Sequence, residues 1–200
     1  MSLLVSLDAL DRSAFLAING AHAPWADGLM LAVSDMRIWF PLYLFFLYLL
    51  QRRYGWRGLA WSIPVLALMI LCSDSGAVVL FKNTVQRLRP SHVPELEGLI
   101  HLLPGPDGEP YRGGPYGFVS SHASNHFAIA AFMAGVLGGS PRWATPLLLF
   151  WAALIAYSRV YLGVHYPGDV LVGGLYGLAI GSIFVLVFRR IVQRFVIARS

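Results

Sequence analysis

Ile38-Trp-Phe-Pro-Leu-Tyr-Leu-Phe-Phe-Leu-Tyr-Leu-Leu50 carries no charge and closes an apolar run that begins near Trp25. A helix rises about 1.5 Å per residue, so roughly 20 apolar residues cross the ~30 Å hydrocarbon layer of a bilayer. Stretches of that kind recur at about 25–50, 58–81, 120–137, 143–160 and 170–188. The expected fold is therefore all-α, a polytopic membrane helix bundle with five to six transmembrane helices. The first twenty residues mix Leu with Asp8, Asp11 and Arg12 and end in Asn19-Gly20, which reads as an amphipathic helix lying at the interface. A sixth span there would place those charges at its middle. No positive residue precedes the apolar part, unlike a signal peptide.

The whole composition agrees. Of 200 residues, 57% are hydrophobic and only 12% charged, against about 25% charged in a soluble domain. Mean hydropathy is +0.63. Disorder, collagen and coiled coil are excluded, and the balance disfavours a water-soluble globule. The single Cys72 sits in an apolar run and rules out an internal disulfide scaffold. One domain spanning 1–200 is expected. The net charge of +5 is a matter of topology, because five spans sort the charges. Arg52, Arg53, Arg57, Arg142, Arg189, Arg190, Arg194 and Arg199 fall on one side without any acid. Asp8, Asp11, Asp27, Glu95, Glu97, Asp107, Glu109 and Asp169 fall on the other, with Arg12, Lys82, Arg87, Arg89, Arg112 and Arg159. The positive-inside rule makes the Arg-only side, and the C-terminus with it, cytoplasmic, and no nucleic-acid partner is expected.

Three motifs then fall on the acid-bearing, extracytoplasmic face. Lys82-Asn-Thr-Val-Gln-Arg-Leu-Arg89-Pro90 ends the second span, opening a Pro- and Gly-rich loop over 82–118. Ser120-Ser121-His122 begins the third, and Ser158-Arg159-Val-Tyr-Leu-Gly-Val-His165-Tyr-Pro-Gly-Asp169 joins the fourth to the fifth. Lys82, Arg89 and Arg159 are cations converging at a membrane surface, an arrangement that invites phosphate. Ser120 or Ser121 as N-cap leaves helix N–H groups free for an anion. His165 stands four residues before Asp169, read here as N-cap of the fifth span; an Asp on one ring nitrogen leaves the other free to attack.

This pattern resembles the type 2 phosphatidic acid phosphatase (PAP2) superfamily, over about residues 74–188. The outer two motifs match in full. The middle one reads Val119-Ser120-Ser121-His122 where the family has Pro-Ser-Gly-His. A positive φ at that glycine would make Ser121 costly; a backbone N–H donor is supplied by either residue, and that is what a phosphate needs. The resemblance implies a membrane lipid phosphatase in which His165 forms a phosphohistidine oriented by Asp169. His122 would protonate the leaving oxygen and then activate water. Lys82, Arg89, Ser120, the Ser121 and His122 amides and Arg159 would bind phosphoryl oxygens. It implies no metal and no cofactor, and a lipid with a phosphate or pyrophosphate head as substrate. Undecaprenyl pyrophosphate is the first choice, with phosphatidic acid, phosphatidylglycerol phosphate, lipid A 1-phosphate and a phosphotransfer reaction left open. A non-catalytic lipid-binding or transport protein, which would not need His165, is less favoured.

Plainer roles remain for other residues. Arg87 reads as an interfacial anchor, and His22, His92 and His101 as loop residues. His126 reads as a buried, hydrogen-bonded histidine, with a supporting role at the site as the alternative. Asp74, two turns before Lys82, reads as a hydrogen-bond partner of Ser73, Ser75 or Asn125, with tuning of the site as the alternative. Asp35 and Arg37 form an expected charge pair at a helix irregularity. Gly173, Gly177 and Gly181 make a ridge for close packing within the chain rather than for a dimer; oligomeric state is not set by the sequence.

Overall fold

A computed structural model describes residues 3–105, 108–139 and 141–197. Asp107 and Arg199, counted above in the charge sorting, lie outside the described residues. The described chain is helical, with only two isolated β-bridges. Helix α1 (Leu3–Gly20) is followed by α2 (Pro24–Ser34) and α3 (Phe40–Gly76). The α3 helix continues through a π-helical turn, Ala77–Lys82, into the short α4 (Asn83–Val85). Beyond the loop come α5 (Ser121–Leu137), α6 (Ala144–Tyr161) and α7 (Pro167–Val192).

Among the described residues, three helical stretches are long and apolar enough to cross a membrane: Met36–Val85, Ala144–Tyr161 and Pro167–Val196. The first holds 50 residues, about 75 Å of helix and more than twice a bilayer core. It is not straight, because Gly55 has a left-handed φ of 69° that breaks it in two. Phe46 and Leu50 before the break share one core cluster with Val65 and Met69 after it. The expected run over 25–50 is itself interrupted: Asp35 accepts the Arg37 amide at 2.9 Å and opens a single 3₁₀ turn, Met36–Trp39. Asp35 and Arg37 are the local ion pair expected there. The α2 segment, at 11 residues, is too short to span.

The bundle has two distinct ends. At one, Arg53 donates to the Leu137 carbonyl (2.9 Å), Arg189 to Gly135 (2.8 Å) and Tyr54 to Val136 (2.6 Å). These groups close the C-terminus of α5, where free carbonyls favour cations. At the other end lie the N-termini of α5 and α7 and the C-terminus of α6, joined by the Ser120 amide on the Asp169 carbonyl (3.0 Å). The Arg-rich end and the motif-bearing end are thus opposite ends of α5.

What holds α5 against α7 is the absence of side chains. A Cβ on Gly173, Gly177 or Gly181 would strike the carbonyl oxygens of Ser120, Ser124 and Ala128 in turn. The ridge packs within the chain, as expected. Gly177→Val should therefore force the two helices apart, and overpacking of this kind costs about 1–3 kcal/mol. A thermal midpoint in detergent lowered by about 3–10 °C is the expected reading; an unchanged midpoint would refute the close packing.

Candidate active site

The site is built where the loop's two ends meet. Gln86, with a left-handed φ of 50°, ends α4 and turns the chain into an extended segment. The Arg89 amide donates to the Pro115 carbonyl and the Gly117 amide to the Arg87 carbonyl, both at 2.9 Å, around a Leu88–Tyr116 bridge. Alternate side chains of an extended segment share a face, so Arg87 and Arg89 reach the same way.

Arg89 reaches His165, with Nη1 3.2 Å from the ring Nε2, and it also donates to the carbonyls of Tyr116 (3.2 Å) and Val164 (3.4 Å). A guanidinium has no acceptor, so the Nε2 beside it carries a lone pair. The proton sits on Nδ1, which donates to Asp169 Oδ2 at 3.2 Å. The same oxygen accepts the Tyr166 amide at 3.0 Å, and Oδ1 accepts Arg87 Nη1 at 3.2 Å. His165 and Asp169 are buried, so the carboxylate depends on these three donors. A Cβ on Gly117 would sit 2.7 Å from Asp169 Oδ2; only glycine fits beside it.

Ser120 caps α5, its buried hydroxyl turned to the Ala123 amide. Ser121 is helical, with no positive φ, so serine fits where the family has glycine, and its hydroxyl accepts from Lys82 Nζ at 3.0 Å. His126 is buried and bonded through Nδ1 to the His122 carbonyl (2.7 Å) and through Nε2 to the Tyr43 hydroxyl (3.1 Å). It is the satisfied histidine expected. Its ring lies 6.4 Å from that of His122.

Arg159 is buried, donating to the Ser34 hydroxyl and to the Tyr111 hydroxyl (3.3 Å), while its Nε is buried without a hydrogen-bond partner. Tyr111 feels two opposing influences. Burial raises its phenol, and Arg159 and Arg89 outweigh this and hold it below its usual value. His165 is held well below the ordinary histidine value by burial first and then by Arg89, Arg159 and Lys82. Three cations thus act on one neutral imidazole, and that charge pattern suits an anion.

Of the residues expected at the site, the structure links Arg89, His165 and Asp169 directly, ties Lys82 to Ser121, and places Arg159 within electrostatic range of His165. His122 occupies the first turn of α5 beside them. Three expectations need correction. Asp169 is not the N-cap of α7; Tyr166 is, and Asp169 at the third helical position reaches back to its amide. Arg87 is not a headgroup anchor, because Asp8 (2.8 Å), Asp11 (2.6 Å) and Asp169 surround it. Asp74 does not take up Ser73, which pairs with Ser124 instead; it is exposed, in electrostatic range of Lys82. Asn125 leaves its Oδ1 buried and unpartnered. The loop opens later than expected, since helix continues to Val85. Tyr111 and Ser34 went unmarked in the sequence, and Arg87 was assigned to the headgroups instead of to Asp169. The pair Asp8 and Asp11 on one helix face was the only available sign that a cation had to meet them.

A helical membrane protein with a cation-lined, Asp-braced histidine at one end of its bundle belongs to the class of phosphate-handling membrane enzymes. The PAP2 superfamily matches residues 63–193, and the chain belongs to that family. It is 33% identical over 190 residues to the lipid A 4'-phosphatase of Bacteroides thetaiotaomicron, covering 94% of this chain and 81% of that one. It is 30% identical to the putative undecaprenyl-diphosphatase YbjG of Escherichia coli, over 86% and 79% of the two chains. The fold matches the PAP2-type phosphatidylglycerolphosphate phosphatase of Bacillus subtilis with a TM-score of 0.68, at 22% identity over 95% of this chain and 89% of that one. The protein is a membrane PAP2 lipid phosphatase.

Proposed function

We propose that this phosphatase removes a terminal phosphate from a membrane lipid through a phosphohistidine on His165. The observation that carries the reading is the opposed grip on that ring: Asp169 on Nδ1 and Arg89 beside Nε2. Lys82, Arg89, Arg159, the Ser120 hydroxyl and the Ser121 and His122 amides bind the phosphoryl oxygens, where charge builds during transfer. Nε2 attacks phosphorus in line as His122 protonates the leaving oxygen. His122 then takes a proton from water, whose oxygen attacks phosphorus; the P–N bond breaks, inorganic phosphate leaves and His165 is restored. Asp169 balances the positive ring in between, and Arg87 holds Asp169. No metal and no cofactor enters this scheme.

The whole of 1–200 is read as one domain with five spans, the two arms of α3 counting as separate passes around Gly55 and α1 lying at the interface. Phe15 of α1 packs edge-on against Tyr166 at 5.3 Å, while Leu3, Leu7 and Leu10 are exposed, as an interfacial helix requires. The positive-inside rule puts the Arg-rich end in the cytoplasm with the C-terminus, and the site at the extracytoplasmic face of the plasma membrane. Similarity along nearly the full chain to a lipid A 4'-phosphatase supports a lipid A phosphate monoester as substrate. The E. coli similarity supports a second reading, undecaprenyl pyrophosphate.

Inorganic phosphate release by detergent-purified protein in EDTA separates these. The panel holds lipid A, undecaprenyl pyrophosphate, phosphatidic acid, phosphatidylglycerol phosphate and a soluble aryl phosphate. Release that persists in EDTA and is fastest from lipid A is expected. Fastest release from undecaprenyl pyrophosphate would install the second reading, and a phosphorylated acceptor in place of free phosphate would mark a transferase.

A further inference from the structure

The strongest cluster outside the phosphate site joins three residues far apart in sequence. His22 follows α1, Asp27 lies in the first turn of α2, and His101 comes from the loop. The two imidazoles stack face to face, centroids 3.7 Å apart and planes 7° from parallel. His101 Nε2 lies 3.0 Å from Asp27 Oδ1, and one ligand atom from each of the three residues falls within 4.8 Å of the others.

Rigid partners hold the cluster. Buried Asn19 donates to the His101 carbonyl (2.9 Å) and accepts its amide (2.8 Å), fixing that residue's backbone. Buried Tyr161 donates to Asp27 Oδ1 at 2.7 Å, the kind of outer hydrogen bond that orients a ligating carboxylate. Only His22 is exposed, free to rotate inward and leaving one side open to water.

We propose that His22, Asp27 and His101 form a structural binding site for one divalent transition metal, Zn²⁺ above all. Two imidazoles and one carboxylate match zinc's preference for nitrogen with oxygen, whereas Mg²⁺ and Ca²⁺ take oxygen alone. Zinc bonds of about 2.0–2.2 Å need the three ligand atoms drawn closer than they stand, a change within reach of the exposed His22 ring. The bound ion clamps the end of α1, the start of α2 and the loop onto the end of α6. The same clamp bears on the turn that carries His165, since a Cβ on Gly163 would lie 3.0 Å from the His101 carbonyl oxygen. The ion stabilises the fold and takes no part in phosphate transfer.

The test uses the full chain without a polyhistidine tag, stripped with EDTA and titrated calorimetrically with Zn²⁺ or Mg²⁺. One Zn²⁺ per chain is expected, with a thermal midpoint raised by roughly 3–8 °C at saturation and no response to Mg²⁺. His22→Ala, which removes only an exposed side chain, should weaken Zn²⁺ binding at least tenfold and abolish the midpoint shift. Its phosphate release at low temperature should equal that of the unaltered protein. His101→Ala should weaken binding as much. Absence of stoichiometric Zn²⁺, a Mg²⁺ response of equal size, or undiminished binding by His22→Ala would each overturn the assignment.

Discussion

His165→Gln should lower kcat by about 10³–10⁵-fold, the range associated with loss of a nucleophile from a preorganised site. The substrate's KM should move little, because the proposed phosphate-binding cations Lys82, Arg89 and Arg159 are untouched. Glutamine keeps a hydrogen-bonding group near Asp169, so the fold should survive and the loss report on chemistry. Rapid quenching in base after mixing with ³²P-labelled lipid should find label on the unaltered protein and none on the variant. Equal turnover by the variant would remove the phosphohistidine from the scheme.

The pH dependence carries the same signature. Burial and three neighbouring cations hold His165 neutral well below the ordinary histidine range. The acid limb of kcat/KM that belongs to this ring should therefore lie far below pH 6.5 and keep its position across substrates with different phosphate ionisation. Stability follows the opposite ledger. A histidine with depressed folded pKa binds its proton more readily when unfolded, so the fold loses stability as pH falls below about 6.5. Activity assays in acid should be paired with a thermal midpoint at each pH, to keep unfolding apart from titration.

The all-helical, membrane-spanning character was legible because a bilayer imposes a length and forbids charge, and both can be counted along one strand of sequence. Ser120 as a cap and the Gly173–Gly181 ridge were legible for the same local reason. The break at Asp35 was legible as a charge pair inside an apolar run, though the short α2 it cuts off was not. Long-range pairings left no comparable trace. Nothing near Arg87 announces Asp169, 82 residues on, and nothing near Arg159 announces Ser34 or Tyr111. The antiparallel contact of 87–89 with 115–117 that turns two arginines the same way is likewise invisible in a Pro- and Gly-rich loop. His122, His165 and Asp169, the residues of the proposed catalysis, could be named from motifs that resemble a known family, but the supports that hold them still belong to the fold.

Those supports make Arg87→Ala the second large effect. Arg87 bonds the oxygen of Asp169 that His165 does not use, and its guanidinium lies 4.0 Å from the Tyr166 ring centre. Its removal leaves a buried carboxylate one donor short and free to rotate away from Nδ1. Displacement of a reacting group by an ångström can cost about 100-fold, and a kcat reduced by that factor with KM little changed is expected. Arg87 also ties α1 to the bundle through Asp8 and Asp11, and Asp11 in turn accepts the Gly168 amide at 2.7 Å. A merely structural staple would be lost equally in the Asp8→Asn, Asp11→Asn double variant, which cuts α1 loose while leaving Asp169 its arginine. If Arg87 acts through Asp169, the double variant should lose thermal stability yet keep most of its kcat. Arg87→Lys should recover part of the rate, since one ammonium reaches one carboxylate at a time. Equal kcat losses in the double variant and in Arg87→Ala would assign Arg87 to holding α1 and leave Asp169 to be positioned by the Tyr166 amide and His165 alone.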